Sequence, residues 1–297
     1  MSGSKSPAWM ASLHGGHSGE FCNHATGALR EVIESAIAKG FSTYGISEHV
    51  PRHGEQYLYP DERERGWTLE KIISDFEHYA VAVFALADEY AERITILRGY
   101  EIEIIPHDSY PKIMLDYRKR FGFDYMIGSV HYLDDISIDS TVEEFDQVLE
   151  IRGGIEPLAR GYYASVSKMI EDLHPEVVGH LDLVRKNGHL YGPLDTPAIR
   201  SAAGATLEVV KANDCILDLN TAGWRKGLDF PYPAPWLLQR AHAMGIPFCF
   251  GDDSHGPDLV GAGIPEAREY LLQNGVDKVT VLKRTGNDVH REVIALR

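Results

Sequence analysis

The sequence lacks the features that mark several classes of protein. Its 297 residues include only three cysteines, Cys22, Cys215 and Cys249, and these match neither a disulfide framework nor a CxxC metal motif. No apolar run approaches the roughly 20 residues of a transmembrane helix. The first residues also lack the basic and apolar segments of a signal peptide. We therefore expect a cytoplasmic protein with no membrane partner.

Positive charge is also scarce. The chain has 29 Lys and Arg against 44 Asp and Glu, a formal net charge of −15, and no Lys/Arg-rich run. Such a surface repels nucleic acids, so we expect no nucleic-acid partner. An anionic substrate would need positive charge supplied locally, by metal ions or by a few arginines.

Strand-like and helix-like segments alternate along the chain, which predicts βαβ units around a parallel sheet. A weak first strand is followed by predicted strands at residues 41–46, 94–99, 124–130, 177–178, 216–220 and 247–250, and a last strand is predicted at 278–282. About seven units indicate a closed or nearly closed α/β barrel. We predict a single domain over residues 13–297 after a flexible lead-in at 1–12. The long non-periodic segment 50–67 is typical of a functional lid or a disordered loop.

Side chains that bind metals follow most of these strands. In chain order they are His14, His17 and His24, then Glu48 and His49, Glu101 and Glu103, His131, His180 and Asp182, and finally Asp252, Asp253 and His255. Any one of them alone is more often structural. The carboxyl ends of barrel strands meet on one face, however, so about nine potential ligands would share one cavity. One ion cannot use so many, and the pattern favours two to three divalent ions of Zn, Fe or Mn. The seven other histidines are interpreted as structural.

Several segments resemble the PHP (polymerase and histidinol phosphatase) family, in particular its histidinol-phosphatase branch. The likeness runs over about residues 13–267 and rests on HSGEFCNH at 17–24, EHVPR at 48–52, GSVH at 128–131, GHLDLVR at 179–185, LNTAGWRKGLDFPYP at 219–233 and DDSHG at 252–256. The resemblance implies a distorted (β/α)7 TIM-like barrel with a trinuclear metal site. It also implies hydrolysis of L-histidinol phosphate to L-histidinol and phosphate.

The ligand sets follow from the same resemblance. His17, Glu101 and Asp253 would hold one metal; Glu101, His131 and His180 a second; His24, His49 and His255 a third. The family's first motif is H-x-H, whereas this chain has Gly15-Gly16-His17. Either His14 takes the place of the missing ligand, helped by two flexible glycines, or the first metal has one protein ligand fewer. Glu48, Glu103, Asp182 and Asp252 are interpreted as supporting residues.

Phosphate recognition favours arginine, and Arg160 and Arg225, followed by Arg185 and Arg52, are the candidates. The expected mechanism is in-line attack by a metal-activated hydroxide, with Glu101, Asp253 and His255 as catalytic residues. The leaving-group acid is Asp253, His255 or a metal-bound water.

Three other interpretations remain open: a PHP phosphoesterase for nucleotide or sugar phosphates, a non-catalytic metal-stabilised PHP domain, and an amidohydrolase-like hydrolase. The last usually needs a first-strand HxH and a metal-bridging lysine, and neither is evident. The expected partner is a small phosphate ester bound by a monomer or homodimer.

Overall fold

The computed structural model describes residues 7–286 and 288–297. The strands in this part of the chain are β1 (Ala11–Ser12), β2 (Thr43–Ile46), β3 (Thr95–Glu101), β4 (Tyr125–Gly128), β5 (Tyr132–Leu133), β6 (Ile136–Ser137), β7 (Val177–Val178), β8 (Ile216–Asn220), β9 (Phe248–Gly251), β10 (Lys278–Thr285) and β11 (Asp288–Ala295). The helices are α1 (Leu29–Ala38), α2 (Pro60–Glu64), α3 (Leu69–Glu89), α4 (Tyr110–Phe121), α5 (Val142–Arg152), α6 (Ile155–Leu173), α7 (Arg185–Gly188), α8 (Pro197–Ala212), α9 (Ala222–Arg225), α10 (Pro235–Ala243) and α11 (Ile264–Gln273).

Seven parallel strands form a nearly closed barrel in the order β1-β2-β3-β4-β7-β8-β9. A parallel bridge between His14 and Gly251, with the Leu13 amide donating to the Phe250 carbonyl at 2.8 Å, joins the first strand to the last. The predicted α/β barrel is therefore confirmed. Among the described residues, no helix combines the length and apolar character that a membrane crossing requires.

Tyr125 fills the barrel interior and connects strands that are distant in sequence. It is fully buried, and its hydroxyl donates to the Leu13 carbonyl at 2.5 Å. Cβ atoms built on Gly45 and Gly99 would overlap the hydroxyl and the ring of Tyr125 respectively. Glycine at these two strand positions therefore makes room for one large aromatic side chain, at the known cost of glycine in a strand.

Local signals in the sequence explain where the outer helices begin and end. Thr141 and Glu144 form a capping box at the start of α5, and Gly153 ends that helix in the left-handed conformation with φ 77°. Gly122 ends α4 in the same way, with φ 70°. In both helices the cap and the apolar periodicity agree on where the helix ends.

One prediction of organisation needs correction. The first barrel strand starts at Ala11, inside the predicted lead-in 1–12, and pairs with β2; residues 1–6 lie outside the described part. The predicted last strand at 278–282 is present as β10, which pairs antiparallel with β11 and not with a barrel strand. Lys283 of this hairpin donates to Thr43 Oγ1 at 2.8 Å, so the hairpin lies by the amino end of β2.

The segment 50–67 contains a 3-10 turn, Glu55–Tyr57, and helix α2. Within the segment, Arg52 and Glu62 are both buried and form an ion pair. The Arg52 guanidinium lies 3.7 Å from the centre of the Tyr59 ring. The predicted loop is thus an ordered cover that packs beside the carboxyl ends of the strands.

We predict that Gly99→Ala lowers the free energy of unfolding by about 1–3 kcal/mol, because the added methyl group meets the Tyr125 ring in a filled barrel. Gly161→Ala, in the middle of α6, is the matched control. Its Cβ would meet only the flexible end of Arg152, so this change should be neutral or stabilising by up to about 1 kcal/mol. Urea unfolding of both variants measures the difference. Equal stability of the two would contradict the packing role of Gly99.

Candidate metal centre

The carboxyl ends of six barrel strands bring the candidate ligands together in one cluster. His14 and His17 follow β1, His49 follows β2, Glu101 ends β3, His131 follows β4, His180 follows β7, and Asp253 and His255 follow β9. His24 reaches the same place from the loop before α1, where its ring lies 4.8 Å from that of His255 between centres. The structure thus brings all nine predicted ligands together.

Glu101 lies at the centre of this cluster, and both its oxygens are shared. Its Oε1 lies 3.1 Å from His180 Nε2, 3.3 Å from His14 Nε2 and 3.5 Å from His131 Nε2. Its Oε2 lies 3.0 Å from His49 Nδ1 and 3.7 Å from His17 Nε2. A carboxylate placed in this way can bridge neighbouring ions.

The donor atoms fall into overlapping groups of three or four, each within 4.8 Å of one another. The groups are His14, His17 and Glu101; Glu101, His131 and His180; His14, His180 and Asp253; His17, Asp253 and His255; and Cys22, His24, His49 and His255. The second group is a set expected from the resemblance, and the last contains another such set. Cys22, interpreted from sequence as a packing residue, is buried with its sulfur 3.4 Å from the ring nitrogens of His24.

The departure from the H-x-H motif has a structural explanation. His14 bridges to Gly251 and is fully buried in the cluster. At Gly15 a Cβ would meet the Asp252 carboxylate and the Tyr44 hydroxyl, so a ligand at that position could not point into the cavity. Gly16, with φ 76°, then turns the chain so that His17 faces the cavity again. This turn accommodates the extra residue, and His14 lies among the donor atoms of the cluster.

Buried carboxylates outside the cluster orient its imidazoles. Asp218 Oδ2 lies 2.7 Å from His14 Nδ1, and its other oxygen accepts from the His180 amide at 2.6 Å. Glu103 Oε1 lies 3.0 Å from His131 Nδ1. When Nδ1 carries the proton for such a carboxylate, Nε2 presents its lone pair to the cavity, which is the form a metal needs.

The other expected supporting residues lie just outside the cluster. Glu48 Oε1 accepts from the Ser18 amide and hydroxyl, and Asp182 accepts from the Ala234 amide at 2.8 Å. Asp252 accepts from Ser12 and Tyr44 and points away from the cavity. Asp218 was missed in the sequence, although a charged residue within the apolar run ILDLN needs a buried partner.

Burial and neighbouring charges set the protonation of the cluster. Burial alone would raise the pKa of Glu101, but His14, His49 and His131 hold that pKa well below its usual range. Burial, assisted by His49, lowers the pKa of His17 to about 3. The anionic carboxylate and the neutral imidazole are the forms that bind divalent cations.

Two residues of the cluster adopt backbone conformations that are unfavourable for L-residues other than glycine. His180 has φ 23° and Asp253 has φ 47°. Each such conformation costs on the order of 1–3 kcal/mol and persists where surrounding structure enforces it. Part of the free energy of folding therefore offsets the cost of holding His180 and Asp253 in these conformations.

Several buried polar atoms of the cluster have no hydrogen-bond partner among the described residues, including His14 Nε2, both ring nitrogens of His17, His49 Nδ1 and Glu101 Oε2. Orphaned buried groups of this kind are rare and destabilising. They are donor atoms to a cation, and they converge on one volume. The residues present therefore fit divalent metal ions.

The cavity beside the cluster has a volume of about 280 Å³ and a cationic side formed by Lys186, Arg225 and Lys226. Arg225 is fixed by donating to the carbonyls of Asp252 and Asp253, at 2.6 and 2.9 Å. The two lysines were missed in the sequence. Each is the direct neighbour of a predicted arginine, and the sequence did not show which of two adjacent cations faces inward.

The other predicted phosphate ligands lie elsewhere. Arg160 is exposed on α6 and is not among the residues that line the cavity. Arg185 donates to Asp182 and to the Pro231 carbonyl and lines a neighbouring pocket. Arg52 is engaged by Glu62. Of the four arginines, Arg225 lines the cavity.

We predict that His14→Ala lowers the metal content of the purified protein by about one ion per chain, because two donor groups lose a member. Elemental analysis of the protein after gel filtration measures this. His78→Ala, on the exposed face of α3, is the control and should keep the wild-type content. Full occupancy in the His14 variant would mean that the first ion is held without it.

Comparison with known proteins agrees with this architecture. The model of the PHP domain family matches residues 14–222. A protein from Deinococcus radiodurans named as a probable histidinol-phosphatase is 34% identical over 89% of this chain and 94% of its own length. One of the same name from Schizosaccharomyces pombe is 31% identical over 90% of this chain and 88% of its own.

Solved structures show the same fold. A Listeria monocytogenes protein assigned as a histidinol phosphatase superposes with a TM-score of 0.75 and 28% identity, covering 86% of this chain and 99% of that one. A Lactococcus lactis histidinol phosphate phosphatase, solved with zinc, L-histidinol and phosphate, gives a TM-score of 0.69 at 20% identity, over 94% of this chain and 98% of that one. From the matched family model and these relatives, we conclude that the chain belongs to the PHP domain family.

Proposed function

We propose that this chain is a metal-dependent histidinol-phosphate phosphatase, which hydrolyses L-histidinol phosphate to L-histidinol and inorganic phosphate. The observation that carries the proposal is the cluster of seven imidazoles and two carboxylates around Glu101, adjacent to a cavity with a cationic side. Relatives over most of the chain are named for this activity. The histidinol and phosphate bound by the Lactococcus enzyme suggest the same pair of products here.

The cluster is proposed to hold two to three ions of Zn, Fe or Mn. His14, His17, Glu101 and Asp253 would hold one; Glu101, His131 and His180 a second; His24, His49 and His255 a third. Bound ions would supply Lewis acidity toward the phosphate oxygens and activate the attacking water. Glu101, Asp218 and Glu103 keep the ligands in place, since their contacts fix the ring orientations before substrate arrives.

The phosphate group is proposed to lie against Arg225, Lys186 and Lys226, with the metal cluster on its other side. Arg225 is held rigidly by two backbone carbonyls. Lys226 provides a flexible point charge that can follow charge as it develops on the phosphate oxygens. Lys186, whose Nζ donates to the Asp139 carbonyl, provides a more fixed one. In this proposal Lys186 and Lys226 take the place of Arg160, Arg185 and Arg52 as phosphate contacts. Arg225 remains from the four arginines expected from the sequence.

Proton delivery to the leaving alkoxide is assigned to a water placed by Asp253 and His255. Both residues line the cavity, and Asp253 Oδ1 lies 3.5 Å from His255 Nδ1. Burial alone would raise the pKa of Asp253, but Lys226 and His14 hold it well below its usual range. Burial also lowers the pKa of His255 well below its usual range, and both residues are proposed metal ligands. Neither side chain therefore carries the proton itself; the two orient the water that passes it to the alkoxide.

We expect the holoenzyme to release phosphate from L-histidinol phosphate with a kcat/KM at least about 100-fold above that for AMP, a sugar phosphate or p-nitrophenyl phosphate. His131→Ala should reduce turnover by roughly 100-fold or more, because Glu101 and His180 lose their partner in one donor group. A phosphate-release assay measures both, with metal content counted on the same sample.

His78→Ala is the control for this assay and should behave as wild type. If the enzyme prefers another ester, it is still a metal-dependent phosphoesterase, but L-histidinol phosphate is not its substrate. If His131→Ala retains full activity, the proposed site is wrong. Bound metal without any turnover would favour a non-catalytic PHP domain.

The phosphate contacts make a separate prediction. Lys226→Met should lower kcat/KM by about 10-fold, because one charged contact to the phosphate is lost. Arg160→Met removes a cation of the same sign from the exposed face of α6 and should leave kcat/KM unchanged. Steady-state kinetics on the two variants show whether Lys226 or Arg160 contacts the phosphate. A larger loss of kcat/KM in the Arg160 variant would reverse our assignment.

A further inference from the structure

Asp139 lines the cavity but takes no part in the histidine cluster. Of the carboxylates that line this cavity, Glu101, Glu103 and Asp253 each lie within 3.5 Å of an imidazole nitrogen. Asp139 instead has Ser137 Oγ at 3.3 Å and Lys186 Nζ at 3.7 Å from its carboxylate. Its charge is therefore not needed to bind or orient the candidate metal ligands.

The backbone around Asp139 is fixed by both the barrel and α7. Lys186 Nζ donates to the Asp139 carbonyl, and Asn187 donates to the Ile138 carbonyl at 3.0 Å. The Ile138 amide donates to the carbonyl of His131 at 2.9 Å. These bonds use main-chain atoms, so the position of residue 139 relative to the cluster does not depend on its side-chain charge.

A carboxylate at this place works against phosphate binding. A phosphomonoester is an anion near neutral pH, and the cavity of about 280 Å³ holds Asp139 together with Lys186, Arg225 and Lys226. Within a partly buried cavity of this size, the Asp139 carboxylate and a phosphate anion repel each other strongly. Lys186, 3.7 Å from the Asp139 carboxylate, offsets part of this repulsion. A substrate that itself carries a positive group offsets more of it by pairing with Asp139.

We infer that Asp139 is a specificity-determining residue that selects phosphomonoesters carrying a protonated nitrogen near the phosphate and disfavours those without one. This inference rests on the proposed function and extends it. L-Histidinol phosphate meets the requirement with its ammonium group and its imidazole. Tyr59, whose ring also lines the cavity and is backed by the Arg52 guanidinium, gives a fixed aromatic wall for the organic part of the substrate.

The test is a comparison of Asp139→Asn with wild type on two kinds of substrate. L-Histidinol phosphate and O-phosphoethanolamine carry an ammonium group, whereas p-nitrophenyl phosphate and ethyl phosphate do not. In the variant, kcat/KM for the ammonium-bearing esters should fall by about 10- to 100-fold, since a charge-assisted contact is lost. For the other two esters it should stay unchanged or rise, because the repulsion is relieved. Metal content should equal that of wild type.

Two further variants serve as controls. Asp134→Asn removes a carboxylate that pairs with Arg152 in the turn between β5 and β6, away from the cavity, and should leave the ratio between the two kinds of ester unchanged. Asp139→Glu keeps the charge and should retain part of the preference. If Asp139→Asn lowers activity on all esters by one common factor, or on none, the inference is overturned.

The outcomes also separate this inference from the proposed substrate. If wild type ignores L-histidinol phosphate but prefers phosphoethanolamine over ethyl phosphate, and loses that preference in Asp139→Asn, the named substrate falls and the role of Asp139 stands. If wild type prefers L-histidinol phosphate and Asp139→Asn keeps that preference in full, the proposed substrate is supported and the role of Asp139 is contradicted.

Discussion

The Glu101 carboxylate is buried among five imidazole rings, and both of its oxygens are shared between them. A carboxylate that is 1% exposed is stable only when positive charge compensates it. Cations held between Glu101 and the rings would supply that charge. The arrangement of the whole carboxyl end of the barrel follows from this need, because rings from the ends of four strands must surround one small group.

The geometry of the cluster is built by residues that never touch substrate. Asp218 holds His14 and the backbone of His180 at the same time, so one buried carboxylate aligns β1 with β7. Tyr125 fills the interior and bonds back to Leu13, next to His14. A barrel packed to this density transmits small shifts. Ligand spacing therefore depends on core packing as well as on ligand identity, and glycine at positions 45 and 99 leaves the space that Tyr125 needs.

The sequence predicted the barrel and the membership of the cluster well, for a physical reason. Ligands follow strands, strands alternate with capped helices, and both patterns are local. His14 was left open because two glycines allow several paths, and only the contacts of Gly15 with Asp252 and Tyr44 decide among them. Arg160 and the two lysines show the other limit. The direction in which a cation on or beside a helix points depends on tertiary packing, and neighbouring residues in the sequence do not reveal it. The sequence likewise predicts β10 as a strand, but it does not show that β10 pairs with β11.

An acidic protein that binds phosphate must separate the two charges in space. With a formal net charge of −15, the surface repels polyanions such as nucleic acids at long range. Lys186, Arg225 and Lys226 line a cavity of about 280 Å³, and cations held by the cluster would add to the positive charge there. Screening limits the reach of this charge to short distances. A small ester can therefore enter and bind, while a large polyanion meets the acidic exterior first. Asp139 adds a second filter inside the cavity, because an ester that brings its own positive charge gains an attraction where a simple phosphate meets a repulsion.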